Sequence, residues 1–237
     1  NRIIKQIDPD IIHAHYLTGY GTMAGRIKIN SPLILSPWGS DVFVTLRGNS
    51  LYSKVLRKLI RPALIKASFI TTETRIMANI LKEEFHVSED KLKVIPWGID
   101  LNIFNPISEE KKSELKKKLG IPENSLIVTS VRNMKEFYRI HEIVKAIPDV
   151  LKLNKDIFFI FIAGYHDLVY LEAIKNLVSD LKLSTNVLII EKFLNPQDFA
   201  DFLRISDIII SIPISDSLPI SVAEWYVATF EPEIYRR

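Results

Sequence analysis

The sequence contains no cysteine among its 237 residues, so disulfide frameworks and thiolate metal centres are excluded. No apolar run reaches the roughly 18 residues of a membrane-spanning helix, and no signal peptide opens the chain. Neither G-x-G-x-x-G nor G-x-x-x-x-G-K-[ST] occurs, which removes the dinucleotide fingerprint and the P-loop. Basic and acidic residues nearly balance, 31 against 28. The net charge is only +3, so a strongly basic nucleic-acid binder is not the default reading. Internal repeats and low-complexity segments are absent as well. The first residue is Asn rather than Met, and the expectation is that a longer protein has been cut at its N-terminus.

What is present is an ordinary globular composition, 47% hydrophobic and 25% charged, able to bury a core. Short β-branched runs alternate with amphipathic stretches. Strands are expected over 10–15, 32–37, 68–72, 91–96, 125–131, 157–164, 186–191 and 207–212. Most are continuous apolar runs, the pattern of parallel strands covered on both faces. Residues 50–68 read as a helix with Leu51, Val55, Leu56 and Leu59 on its apolar face. Residues 139–152 read as another, built on Ile140, Ile143, Val144 and Ile147, which Pro148 should kink or split. A run of turn formers, WGIDLNIFNPISEE, then precedes a charged helix capped by Ser108. The reading is α/β, with two Rossmann-like units, 1–97 and 108–237, joined by a hinge over 98–107.

In open α/β sheets, ligands bind beyond the carboxyl ends of the strands. Polar clusters stand at five such ends: His13-Ala14-His15-Tyr16, Pro37-Trp38-Gly39-Ser40-Asp41, Arg132-Asn133-Met134-Lys135, Gly164-Tyr165-His166-Asp167, and SIPISDSLPISVAE. His13 and His15 alternate, so both face one side of a strand; a satisfied structural histidine and a ligand contact both remain open. A two-histidine metal site lacks a third ligand of suitable spacing. In the last cluster Asp216 falls in a loop, Ser217 stands near an N-cap and Pro219 suits the first helical turn. Free amides there would attract an anion. Glu224 could then accept ribose or sugar hydroxyls, and Arg132 and Lys135 could meet a diphosphate.

These motifs, in this order, resemble glycosyltransferase family 4, whose two-domain plan is the GT-B fold. Asp216 through Glu224 resembles its E-x7-E signature, with Asp in the first position. VIPWGIDLNIFNP resembles its hinge, V-I-P-N-G-V-D-x-x-x-F-x-P. SVRNMK resembles the opening of the donor domain, DIIHAHY the H-x-H segment, and SPWGSD the H-G-x-D strand end. The resemblance implies retaining transfer of a sugar from a nucleotide-diphosphate donor, without a metal ion or other cofactor. It implies Arg132 at the diphosphate, Glu224 at the ribose, and Asp216 at the transferred sugar. Backbone amides around Ser217 and Leu218 would assist the phosphates. On the other side, His15 and Asp41 would contact acceptor or donor sugar. The acceptor would be a glycan, a lipid-linked sugar or a small molecule, handled in the cytoplasm with peripheral contact at the inner membrane face.

Departures are visible. The family's second basic residue falls five places after the arginine, at Phe137, and Lys135 would have to substitute. Both ends of the pattern are missing, which implies a fragment. A nucleotide-sugar epimerase or a phosphorylase on the same plan, and an inactive donor-binding module, are the alternatives.

Overall fold

The structure is a computed structural model and describes residues 2–28 and 30–230. The expected departure at the chain's end falls partly on residues 231–237, outside the described residues. Two compact units are present. One comprises Asn1–Gly98 with Ser215–Leu218; the other comprises Ile99–Ile214 and the chain from Pro219 onward.

The first unit contains α1 (Arg2–Ile7), β1 (Ile12–His15), α2 (Thr22–Arg26), β2 (Leu33–Ser36), α3 (Leu51–Lys66), β3 (Phe69–Thr72), α4 (Arg75–Phe85) and β4 (Leu92–Val94). Its strands are all parallel, in the order β1-β2-β3-β4. Leu33, Leu35 and Ile70 carry the sheet's share of the core, against Leu46, Met77 and Leu81. The buried side of α3 is Ser53, Ile60, Ala63 and Leu64. Of the expected apolar face, Leu56 packs against the core and Leu59 is half-buried, whereas Leu51 is 78% and Val55 45% exposed. Small residues win that position: an ideal Cβ on Gly25 of α2 would lie 2.5 Å from the Ala63 Cβ. The two helices therefore approach at a distance only glycine and alanine allow.

The second unit contains α5 (Glu109–Lys118), β5 (Leu126–Ser130), α6 (Ile140–Leu153), β6 (Ile157–Ile162), α7 (Leu168–Asp180), β7 (Val187–Ile190), α8 (Pro196–Arg204), β8 (Ile208–Ile209) and α9 (Ile220–Thr229). Its parallel strands lie in the order β7-β6-β5-β8. Both faces are covered, as the continuous apolar runs require. Val128, Phe159 and Phe161 meet α6 and α7, while Ile127, Phe158 and Ile160 meet Ile121, Phe202 and Ile205. Pro148 does not split its helix. Ile140, Ile143, Val144 and Ile147 before it, and Val150 and Leu151 after it, rest on one core. Burial of such side chains, about 1.5–3 kcal/mol each, outweighs a proline cost of about 3 kcal/mol. The strand expected over 207–212 is shorter, ending at Ile209.

Gly25→Ala is expected to lower the urea midpoint of the first unit, at a cost of about 1–3 kcal/mol for forced overpacking. An unchanged midpoint would show that α2 and α3 have room to part.

Candidate functional site

The strand order of the second unit creates its site. From β5 the chain adds β6 and β7 on one side, then returns to place β8 on the other. At such a reversal the flanking connections leave to opposite faces, and a crevice opens at the strand ends. The segments that follow these two strands in the same unit are 131–139 after β5 and 210–214 after β8. They are tied together where the Ile214 amide donates to the Phe137 carbonyl at 3.0 Å. The loop after β6 is latched to the first of these. Asn133 Oδ1 accepts from the Tyr165 amide at 3.1 Å. Gly164, at φ +51°, has no space for a side chain, since a Cβ would lie 2.6 Å from that same oxygen.

Arg132 stands two residues beyond β5, half-buried, with its guanidinium 5.0 Å over the Tyr138 ring. Burial lowers its pKa, and Tyr138 opposes the shift. The group nevertheless stays protonated at neutral pH. Two hydroxyls that sequence reading missed, Ser130 Oγ at the end of β5 and Ser211 Oγ just after β8, are buried and without a hydrogen-bond partner. Ser130 is 1% exposed. Unsatisfied buried polar atoms are costly, and a water, an ion or a ligand is what can satisfy them. Nothing in the sequence distinguishes these serines from others; only the pairing of β5 with β8 does.

Lys135 goes elsewhere. It lines a groove with Glu136, His141, His166, Asp167 and Tyr170, and Arg132 is not among that groove's walls. Met134, between Lys135 and Asn133, is buried.

Glu224 lies in the second turn of α9, half-buried. Burial raises its pKa, and no opposing cause acts on it. No side chain caps α9, and Pro219 rather than Ser217 holds the N-cap position. Asp216 is exposed and its Oδ1 accepts from the Ser217 amide at 2.9 Å. Ser217 Oγ is buried without a hydrogen-bond partner. Ser215–Leu218 group with the first unit, whereas α9 and Glu224 belong to the second.

In the first unit a cavity of about 240 Å³ is lined by His13, His15, Thr71, Glu73, Pro96 and Trp97, among others. His13 and His15 share a face as expected, their rings 4.1 Å apart. His13 Nε2 meets Ser36 Oγ at 2.7 Å, and its pKa is lowered by burial and then by His15. Asp41 is different from its expected role as a sugar contact. It is 0% exposed, and its two oxygens accept from the amides of Leu17 at 2.7 Å and Trp38 at 3.0 Å. That carboxylate holds two loops together and offers no surface to a substrate. Among the described residues no group of three or more His, Cys, Asp or Glu could hold a metal ion.

The family models for Glycosyltransferase Family 4 and for Glycosyl transferases group 1 match residues 1–103 and 111–228 in tandem. The chain belongs to the family 4 glycosyltransferases. Alpha-monoglucosyldiacylglycerol synthase of Streptococcus pneumoniae is 26% identical over 231 residues, covering 94% of this chain and 51% of that protein. An Escherichia coli enzyme is 27% identical over 235 residues, covering 94% of this chain and 57% of its own length. Its name is UDP-Gal:alpha-D-GlcNAc-diphosphoundecaprenol alpha-1,3-galactosyltransferase. The chain thus spans little more than half of these curated relatives. Anabaena HepE in complex with UDP-glucose shares the fold at a TM-score of 0.73 and 17% identity, covering 96% of this chain and 60% of that one. Both units accordingly carry the GT-B pattern of parallel α/β sheets.

The raised pKa of Glu224 has a thermodynamic consequence. Its folded value lies above its unfolded one, so the contribution to stability is intact below the unfolded pKa. It is lost as pH rises through the folded pKa. Glu224→Gln is therefore expected to match the parent in acid and to melt at a higher temperature above that window. A difference in Tm that stays constant across pH would contradict this origin.

Proposed function

We propose that the chain carries the donor-binding and acceptor-side halves of a glycosyltransferase that moves a sugar from a nucleotide-diphosphate donor to a sugar or lipid-linked acceptor. The observation that carries this reading is the crevice at the β5–β8 reversal. Just beyond the end of β5 stands the half-buried Arg132, Ser130 and Ser211 carry buried hydroxyls without a hydrogen-bond partner, and α9 carries the half-buried Glu224, whose pKa burial raises. Arg132 meets the diphosphate and stabilises charge developing on the leaving group. The unsatisfied hydroxyls and the uncapped start of α9 supply further donors. Glu224 accepts the ribose hydroxyls, which return to the carboxylate the hydrogen bonds that burial removed. Asp216 and the amides around Ser217 and Leu218 hold hydroxyls and phosphate oxygens. The reaction retains anomeric configuration, and cationic and amide groups take the place of a metal ion at the diphosphate. The UDP-glucose bound by the Anabaena neighbour supports a nucleotide-sugar donor. The lipid-linked acceptor named for the Escherichia coli relative supports a related acceptor here.

Work at a membrane surface is the second part of this reading. The helix α3 carries Lys54, Arg57, Lys58, Arg61 and Lys66 and no acid. Leu51, Tyr52, Val55 and Ile65 stand exposed on it. A cationic helix with an outward apolar stripe lies on anionic lipid. Arg57 and Lys66 donate to the carbonyls of Leu46 and Ile27, so Lys54, Lys58 and Arg61 are the cations left for headgroups. Among the described residues no helix is long and apolar enough to cross a membrane.

Arg132→Ala is expected to weaken UDP, GDP or ADP binding, whichever the protein takes, by about 1.5–3 kcal/mol in calorimetry, the worth of hydrogen bonds to a charged group. Unchanged affinity would remove the diphosphate from this crevice. Donor consumed without any acceptor would favour an epimerase instead. Joint replacement of Lys54, Lys58 and Arg61 by Gln should reduce partitioning onto anionic vesicles roughly 100-fold, at about 1 kcal/mol per cation. Equal binding to neutral vesicles by the parent would sink the surface role.

A further inference from the structure

We propose that Trp38 is a positioning residue that locks His15 in one neutral tautomer, with its proton on Nε2. The indole Nε1–H of Trp38 reaches His15 Nδ1 at 3.1 Å. An indole nitrogen can only donate, so His15 Nδ1 must offer a lone pair. In a neutral imidazole the proton then resides on the other nitrogen. His15 consequently presents an N–H donor from Nε2. It can give a hydrogen bond to a sugar oxygen, and it cannot take a proton through that atom.

Trp38 itself is held from both ends. Its backbone amide donates to Asp41 Oδ1 at 3.0 Å, and Asp41 is buried and fixed in turn by the Leu17 amide. The edge of its ring meets Trp97 at 5.8 Å and 78°, a favourable T-shaped arrangement. His15 lines the 240 Å³ cavity and Trp38 does not, so the tryptophan acts through the histidine. The ordered chain Asp41 to Trp38 to His15 converts a buried carboxylate into the orientation of an imidazole at the cavity wall. Both tryptophans stand where the family pattern has other residues. Trp38 takes the place of the histidine in H-G-x-D, and Trp97 that of the asparagine in V-I-P-N-G-V-D. Their contact joins the two departures into one device.

The tautomer lock stands on geometry alone, while the role of His15 toward a sugar rests on the proposed glycosyl transfer. The test is therefore spectroscopic and needs no donor. In protein with 15N-labelled histidine, the His15 imidazole is expected to show a bare Nδ1 and a protonated Nε2 at mildly alkaline pH. His15→Phe identifies the signals. The Trp38 indole proton should also resonate downfield of its position in that variant. In Trp38→Phe, which keeps a ring against Trp97, the His15 nitrogens should move toward the values of two exchanging tautomers. A protonated Nδ1 in the parent, or an unchanged His15 pattern in Trp38→Phe, overturns the proposal. The parent spectrum alone decides the first point even if the variant fails to fold. Loss of nucleotide binding in Arg132→Ala is read separately, so failure of the lock and failure of the transferase reading cannot be confused.

Discussion

A parallel strand with neighbours added at different times along the chain cannot have its connections all leave to one face. In the second unit that strand is β5, flanked by β6 on one side and β8 on the other. The consequence is geometric before it is chemical. Arg132 stands just beyond that strand end with its guanidinium over the Tyr138 ring, and the hydroxyls of Ser130 on β5 and Ser211 after β8 are buried without a hydrogen-bond partner.

Much of this was legible in the chain. Eight apolar runs correspond to eight strands, because a strand covered on both faces cannot tolerate the polar alternation that makes exposed strands ambiguous. Helix faces were less legible. In α3 the residues Leu51, Val55, Leu56 and Leu59 keep helical spacing, yet only Leu56 of them packs against the core, which takes Ile60, Ala63 and Leu64. Periodicity reports an apolar stripe and not the direction it points. Small side chains facing Gly25 leave no signal in hydropathy at all. Pro148 was misleading for a related reason: its local cost is fixed, but the gain from burying α6 is decided by the whole sheet.

At the site, order along the chain picked out Arg132 and Glu224, and nothing in that order could pick out partners across a sheet. The bond from Trp38 to His15 joins the loop after β2 to the end of β1, which pair residue by residue from Ile12 and Leu33 onward. Lys135 illustrates the converse. Three positions from Arg132 it looks like a second cation for one anion, and the structure shows it lining a groove with His141, His166 and Asp167. Spacing constrains side chains only where the backbone is regular, and here it is a loop.

The buried Asp41 and the half-buried Glu224 differ in how the protein meets their charge. Asp41 and Glu224 are both pushed toward higher pKa by loss of water. For Asp41 that push is opposed by backbone amides, Leu17 and Trp38 foremost, so its charge is compensated within the protein. For Glu224 nothing opposes it. A desolvated acid that the protein leaves uncompensated lowers stability, and such a residue persists where a ligand supplies the missing donors. In the proposed transfer, ribose hydroxyls are the donors that would do so without adding charge.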